Sequence, residues 1–184
     1  MKKRVLLVIN SALVNAGVPN VVMKIVRSLK NKCVFDIAVG DDKPGYYDEE
    51  FLSFGGEIIP FRARTYESGK ISFLLRGKDV YDAIDRIVKA RQYDIVHCHN
   101  GYDCGPALKA AAKHGVPIRI AHSHGTYLNK GKNILARTYK HICMKWGVKY
   151  STVRFACADV AGKTLFMGKS FENVLNPVVI GEYL

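Results

Sequence analysis

Apolar and polar residues follow two patterns that alternate along the whole chain. Residues 5–9 are an unbroken run of Val, Leu and Ile, which is typical of a strand buried on both faces. Residues 79–91 instead place apolar side chains every three or four positions, as an amphipathic helix does. The same patterns predict further strands at 34–39, 57–60, 94–97, 118–122, 153–156 and 171–175, and further helices from Pro19 to Leu29 and at 48–54, 103–114, 133–148 and 159–167. This alternation indicates an α/β domain, with a doubly wound, mostly parallel sheet and helices on both faces.

Two histidine pairs stand at the ends of neighbouring predicted strands. His97 and His99 close one strand, and His122 and His124 close the next. Side chains alternate along a strand, so the two imidazoles of each pair point to the same face. Ligands of open parallel sheets bind beyond the carboxyl ends of the strands, so we expect a site at this edge. His99 and His124 are expected to reach furthest out, with His97 and His122 deeper and structural.

The histidines fit three kinds of chemistry: zinc binding, hydrogen bonding within the core, or contact with a substrate in a cleft. Zinc binding is disfavoured because no Asp or Glu accompanies the pairs, and we predict no metal site. An outlying imidazole can bond a sugar hydroxyl or a phosphate, and its pKa near neutrality allows proton transfer. Hydroxyl and amide groups flank the pairs and complete the predicted substrate-binding set: Asn100, Ser123, Thr126 and Tyr127.

A glycine follows the first predicted strand, but no G-x-G-x-x-G motif does, which weakens a dinucleotide-binding interpretation. Gly17 comes just before a predicted helix, where backbone N–H groups and the helix dipole favour a phosphate. A single glycine at this place is also typical of a simple turn.

Positive charge is concentrated in the second half of the chain. The net charge is +12, and ten Lys and Arg but no Asp or Glu lie between Asp103 and Asp159. Such a surface favours an anionic partner, or solubilises a domain whose acidic complement lies elsewhere. The helix predicted at 133–148 combines an apolar stripe with basic flanks, which fits a core-facing helix or one that lies on anionic lipid. The residues that would face a membrane lie in this helix or just before it: Lys130, Lys132, Arg137, Lys140, Lys145 and Trp146.

Other features limit the class of protein. No run reaches the roughly 18–20 apolar residues of a membrane span. The five cysteines are odd in number and form no C-x-x-C pair, which favours a reducing compartment. We therefore expect a cytoplasmic protein, with peripheral attachment to the inner face of the cell membrane as an open alternative.

Four stretches together resemble the N-terminal, acceptor-side domain of bacterial family 4 glycosyltransferases of the capsular and exopolysaccharide type, which have the two-domain GT-B fold. They are the first strand with its loop to Gly17, residues 93–99, residues 119–124, and residues 155–177, which end in Asn176-Pro177. The resemblance implies that residues 1–177 form one Rossmann-like domain. It also implies that residues 178–184 begin a connection to a C-terminal, donor-binding domain outside this chain.

The resemblance implies an activity as well. The whole enzyme would transfer a sugar, with retention, from a nucleotide-diphosphate donor to a lipid-linked saccharide, with no cofactor or essential metal. Gly17 would face the donor phosphate, His99 would lie near the reacting sugar as the catalytic candidate, and His124 with Ser123 would line the cleft. This chain alone is expected to be inactive.

Two other function classes remain as alternatives. One is a non-catalytic anion- or nucleic-acid-binding module, suggested by the positive charge. Nucleic acid is disfavoured as a partner because strands that are apolar on both faces must be covered, whereas such binders expose aromatic residues among basic ones. The other is a metal hydrolase built on the histidine pairs, which the lack of carboxylate ligands disfavours.

Overall fold

A computed structural model describes residues 2–62, 75–126 and 134–174 of the chain. In these residues, seven parallel strands form one sheet in the order β3-β2-β1-β4-β5-β6-β7. The strands are β1 (Lys3–Ile9), β2 (Cys33–Val39), β3 (Ile58–Pro60), β4 (Ile95–Cys98), β5 (Ile118–Ser123), β6 (Val153–Ala156) and β7 (Glu172–Asn173). The chain winds outward from β1 in one direction and from β4 in the other, so the Rossmann-like, doubly wound fold class is confirmed.

Six α-helices connect these strands within the described ranges. They are α1 (Gly17–Leu29), α2 (Asp48–Ser53), α3 (Arg76–Ala90), α4 (Cys104–Lys113), α5 (Ile134–Tyr150) and α6 (Asp159–Leu165). A single 3₁₀ turn, Gly101–Asp103, leads from β4 into α4. The predicted strands and helices all occur, with ends that differ by a few residues. β1, for example, already begins at Lys3, because its backbone pairs with Cys33 although its first side chains are exposed.

The sheet has a separate apolar core on each face. Leu6, Val8 and Val96 belong to the core that α3 and α4 cover. Leu7 and Ile9 point the other way, into the core that α1 covers. Burial on both faces is why these strands read as unbroken apolar runs rather than as alternating ones.

A buried carboxylate anchors the sheet at its amino edge. Asp36 in β2 accepts hydrogen bonds from Arg4, Arg91 and the hydroxyl of Tyr93, and from the backbone N–H of Glu57. Burial raises the pKa of Asp36, but the hydrogen bonds from Arg4, Arg91 and Tyr93 outweigh it and hold that pKa below its usual range. The network ties β1, β2, β3 and the α3–β4 connection together, away from the histidines.

Helices α4 and α5 cross very closely at two glycines. A Cβ atom on Gly105 would overlap the carbonyl oxygen of Cys143. A Cβ on Gly147, by contrast, would lie 3.8 Å from the backbone nitrogen of Gly105, at ordinary contact distance. Only a residue without a side chain at 105 permits this crossing, which sets where α5 lies on the domain.

Candidate active site

The four histidines form a compact block on one face of β4 and β5. His97 and His99 stack with their ring centroids 4.1 Å apart, and His122 and His124 do the same on the neighbouring strand. Across the strands, Nε2 of His97 lies 3.2 Å from Nδ1 of His122, and Nδ1 of His99 lies 2.8 Å from Nε2 of His124. The block thus consists of two hydrogen-bonded pairs stacked on each other. The prediction that His99 and His124 meet at one edge of the sheet agrees with this geometry.

Each cross-strand pair is joined edge to edge. The ring centroids of His97 and His122 are 5.4 Å apart with an interplanar angle of 6°, and those of His99 and His124 are 5.0 Å apart at 21°. These separations are close to the nitrogen–nitrogen distance plus two ring radii, so each hydrogen bond lies near both ring planes. One nitrogen of each ring is therefore directed at its partner ring.

Three of these rings could still be considered as metal ligands. Nitrogens of His97, His99 and His122 all lie within 4.8 Å of one another. A metal needs in-plane lone pairs that converge on one point. Here the rings of His97 and His99 are stacked, so their lone pairs run side by side, and metal binding would require ring rotations that break the paired hydrogen bonds.

Burial keeps the imidazoles neutral. His97, His99 and His122 are all at most 6% exposed, and His124 is half-buried. Burial lowers the pKa of His97 to about 3, that of His122 to about 2 and that of His124 to about 4, and it also lowers the pKa of His99. The expectation of a pKa near neutrality was therefore wrong for this cluster. His99 is also buried as deeply as His97, because the rings stack over one another instead of extending into solvent.

Stability should consequently depend on pH well above the range where carboxylates titrate. As the pH falls below 6.5, the histidines of the unfolded chain become protonated, whereas the buried histidines of the folded chain stay neutral. The free energy of unfolding therefore decreases. Each excluded proton costs about 1.4 kcal/mol per pH unit. We expect urea unfolding to show a loss of several kcal/mol between about pH 7 and pH 5.

The double variant His99→Asn plus His124→Gln is the control for that pH dependence. It removes two of the four imidazoles while keeping amide groups near the hydrogen-bonding positions. The slope of the unfolding free energy against pH should then fall by about half. A wild-type free energy that is constant over this pH range would contradict the neutral, buried block.

Several buried polar atoms beside the block have no hydrogen-bond partner among the described residues. They are Oδ1 of Asn10, both amide atoms of Asn100, Nε2 of His99, Nε2 of His122 and Nδ1 of His124. Asn10 follows β1 and Asn100 follows β4, so these atoms gather where neighbouring strands end. A buried polar atom without a partner costs about 1–3 kcal/mol, which a ligand with matching groups can recover.

Asp103 holds three segments together next to these atoms. Its carboxylate accepts hydrogen bonds from Nδ2 of Asn10 at 3.1 Å, from Nε of Arg76 at 2.7 Å and from the hydroxyl of Tyr139 at 3.3 Å. Burial raises the pKa of Asp103 although Arg76 opposes this. Asp103 is the residue directly before α4, at its N-cap position. The side chain makes no cap hydrogen bond, because its oxygens face β1, α3 and α5 instead.

The other predicted binding residues lie in different surroundings. Ser123 points to the sheet face opposite His122 and His124, is fully buried, and donates its hydroxyl to the carbonyl of Ala161 at 3.0 Å. The structure therefore does not bring Ser123 into the histidine cluster. Thr126 is exposed just beyond β5, and Gly17 is exposed as the first residue of α1. Tyr127 lies outside the described residues.

Helix α5 carries an apolar surface that the core does not cover. Ile134, Leu135 and Ile142 are 67%, 61% and 42% exposed, so this part of the apolar stripe does not face the core. Within α5, Cys143 and Gly147 are the buried residues, because the close α4–α5 crossing brings just one side of the helix to the domain.

The basic candidates on α5 differ from one another. Arg137 and Lys145 are exposed. Lys140 is half-buried, with its ammonium 5.3 Å from the ring centre of Tyr102. Trp146 is half-buried beneath the ammonium of Lys109, at 4.1 Å. Lys130 and Lys132 lie outside the described residues.

The fold is shared with a galactosyltransferase and with an epimerase. It matches the lipopolysaccharide outer core galactosyltransferase WaaB with a TM-score of 0.63, at 18% identity over 96% of this chain and 46% of WaaB. UDP-GlcNAc 2-epimerase from Neisseria meningitidis, solved with UDP-GlcNAc bound, matches with a TM-score of 0.58, at 12% identity over 93% of this chain and 45% of the epimerase. Transferases and epimerases therefore both have this fold, so the fold alone does not show to which kind of enzyme the chain belongs.

Sequence comparison does separate them. The chain is 31% identical over 172 residues to a Bacillus subtilis (strain 168) protein that carries the name glycosyltransferase EpsF. The match covers 93% of this chain and 43% of EpsF, so the chain spans less than half the length of that relative. The pattern of Glycosyltransferase Family 4 matches residues 16–165, which include both histidine pairs. The chain belongs to glycosyltransferase family 4.

Proposed function

We propose that this chain is the acceptor-side half of a retaining glycosyltransferase. In this proposal, the enzyme transfers a sugar from a nucleotide-diphosphate donor to a lipid-linked saccharide in capsule or exopolysaccharide synthesis. No cofactor or metal takes part, and the donor sugar nucleotide is itself a substrate. Membership of family 4 and the similarity to the glycosyltransferase EpsF support the reaction class. The fold shared with WaaB, a lipopolysaccharide outer core galactosyltransferase, is consistent with a saccharide acceptor.

The observation that carries the acceptor role is the set of unpartnered polar atoms at the strand edge. Asn10, Asn100, His99 and His124 offer both donors and acceptors there, and the imidazoles are uncharged. Sugar hydroxyls both donate and accept hydrogen bonds and carry no charge, so they complement such a surface. A diphosphate would instead call for cations or free backbone N–H groups. This contrast supports a saccharide at the histidines and a donor diphosphate nearer to Gly17 and a second domain.

Calorimetry on this chain tests the acceptor role. We expect it to bind the acceptor saccharide, to bind nucleotide sugar only weakly, and to transfer no sugar by itself, because the leaving diphosphate lacks its electrostatic partners. Asn100→Ala should weaken saccharide binding by roughly tenfold, since it removes both unpartnered amide atoms.

The matched control for Asn100 is Asn173→Ala. Asn173 is an exposed residue of β7 that donates a hydrogen bond to Asp159 in α6. Its replacement should leave the saccharide affinity unchanged. Tight binding of nucleotide sugar by this chain, together with no saccharide binding, would show that the two sites have been assigned the wrong way round.

A second part of the proposal is attachment of α5 to the membrane that holds the lipid-linked acceptor. Among the described residues, no helix is long and apolar enough to cross a membrane. Helix α5 instead has exposed Ile134 and Leu135 beside exposed Arg137 and Lys145, the composition of a helix that lies at an interface. Basic residues near an anionic surface contribute about 1 kcal/mol each.

Vesicle co-sedimentation tests this attachment. The chain should bind phosphatidylglycerol vesicles in low salt and not phosphatidylcholine vesicles, and salt should weaken the binding. Arg137→Glu plus Lys145→Glu should lower the affinity by at least about tenfold. Lys140 is unsuitable for this test because its ammonium lies over the ring of Tyr102, so its replacement would also remove that contact.

The control variant has the same change of net charge at another surface. Lys32→Glu plus Lys89→Glu reverses two exposed lysines outside α5 and should leave most of the binding intact. Equal losses in both double variants would indicate a response to net charge alone, and α5 would then not be the attachment surface.

A further inference from the structure

The outer histidine pair has a property that a single imidazole lacks. The hydrogen bond between Nδ1 of His99 and Nε2 of His124 is 2.8 Å long, and the opposite nitrogen of each ring has no partner among the described residues. A neutral imidazole has one N–H and one bare nitrogen. The shared hydrogen bond uses the N–H of one ring and the bare nitrogen of the other. The two remaining nitrogens, Nε2 of His99 and Nδ1 of His124, both buried, are therefore always one donor and one acceptor.

Two proton arrangements satisfy this pair. In the first, both rings carry the proton on Nδ1, so that Nε2 of His99 is bare and Nδ1 of His124 is protonated. In the second, both rings carry it on Nε2, and the donor and acceptor ends are exchanged. Conversion of the first arrangement into the second takes up a proton at His99 and releases one at His124, and the net charge stays the same.

The surroundings of the pair make this neutral exchange useful. His99 stacks on His97 at 4.1 Å and lies 5.1 Å from His122, while His124 stacks on His122 at 4.1 Å. The neighbours of the pair in the block are thus uncharged rings, and His99 is 3% exposed. An imidazolium held there would be costly, since no carboxylate faces it within the block. A single histidine in this place would be a poor base. The pair can accept a proton at His99 while it releases one at His124, so neither ring has to remain positively charged.

We propose that His99 and His124 together carry away the proton that the acceptor hydroxyl loses during sugar transfer. This inference rests on the proposed function. The hydroxyl oxygen forms a bond to the anomeric carbon of the donor sugar while the bond from that carbon to the diphosphate breaks, and the diphosphate leaves with the electron pair. The hydroxyl proton moves to Nε2 of His99, and the Nδ1 proton of His99 moves to Nε2 of His124. The Nδ1 proton of His124 then passes to a water molecule, which must reach this buried nitrogen when the acceptor binds.

Nitrogen NMR on this chain, with ¹⁵N-labelled histidine, tests the pair independently of any transfer. His99 and His124 should each show one protonated and one bare nitrogen from about pH 5.5 to pH 8, with scalar coupling across the hydrogen bond. The single variants His99→Asn and His124→Gln assign the signals. If either ring becomes doubly protonated within this range, it acts as an ordinary titrating histidine, and the proposal is overturned.

Kinetics of the intact transferase test the catalytic step. In His124→Gln, the amide can still bond Nδ1 of His99, but it has no second ring nitrogen from which to release a proton. We expect kcat to fall by about 100-fold and the solvent deuterium isotope effect on kcat to change, whereas the acceptor KM should rise by no more than about tenfold, because His124 also offers its Nδ1 to the saccharide. A merely structural role would not produce a kcat loss that exceeds the change in KM in this way, together with an altered isotope effect.

The matched control is His114→Gln. His114 bonds Asp85 through Nε2 at the far end of α4, so the same substitution there should leave kcat unchanged. A wild-type kcat in His124→Gln would overturn the proposal and assign the proton to the departing diphosphate. If the intact wild-type protein transfers no sugar, the proposed function fails, and the catalytic step fails with it. The NMR result would then still report whether the pair exists.

Discussion

Asp103→Ala should destabilise the domain by about 3–5 kcal/mol, the usual cost of removing one member of a buried ion pair. The side chains of Asp103 and Arg76 are only 2% and 11% exposed, so the guanidinium would lose its buried carboxylate and gain little water. Asn10 and Tyr139 would also lose an acceptor. Because Asn10 borders the proposed acceptor site, we expect saccharide binding to weaken along with stability. Urea unfolding measures the first effect and calorimetry the second.

Two variants identify the cause of that loss. Asp82→Ala removes an exposed carboxylate that pairs with Lys78 one helical turn away, and it should cost less than about 1 kcal/mol. Arg76→Leu combined with Asp103→Ala should recover part of the stability, because it removes the buried charge left behind. A loss in Asp103→Ala no larger than that in Asp82→Ala would mean that the network contributes little.

Gly105→Ala should destabilise the domain by about 3 kcal/mol, at the upper end of the cost of overpacking. The added methyl group would overlap the carbonyl oxygen of Cys143, a backbone atom that cannot move away as a side chain can. Helix α5 would have to shift outward from α4. Thermal or urea unfolding measures the loss, and vesicle binding shows whether the shifted helix still meets lipid.

Gly147→Ala is the matched control on the facing helix. Its methyl group would meet atoms of Gly105 at 3.8–3.9 Å, at ordinary contact distance, and alanine favours a helix over glycine by about 0.5–1 kcal/mol. We therefore expect a neutral or slightly stabilised protein. Equal destabilisation by both substitutions would show that the crossing is sensitive to helix composition and not to the clash at residue 105.

The fold was accessible from sequence because its signals are local. Unbroken apolar runs such as residues 5–9 identify doubly buried strands, and period-two alternation places His97 with His99 and His122 with His124. Because β4 and β5 are neighbouring parallel strands, the two histidine pairs then lie at the same edge of the sheet. These steps need only element type and order, which hydrophobic patterning supplies.

The chemistry of the site was less accessible, because it depends on packing between distant segments. The histidine pKa values follow from stacking and burial, which no spacing encodes. Asp103 fitted a helix cap locally, yet its partners lie 93, 27 and 36 residues away in sequence. Ser123 is a different case: we predicted it in the cleft with His124, although the alternation of side chains along a strand puts it on the face opposite its two histidine neighbours. The proposed donor-binding half and the connection at 178–184 remain predictions, since residues 175–184 lie outside the described part of the chain.

The alternation of Ser123 with its two histidine neighbours limits how this domain can change over evolution. One short stretch at the end of β5 presents imidazoles to one side of the sheet and a hydroxyl that holds α6 to the other. Gain or loss of a single residue there would exchange the two sides, so the core and the site would be lost in one event. New acceptor preferences are therefore open to this scaffold by substitution at fixed length, while insertions and deletions are confined to the connections beyond the strand.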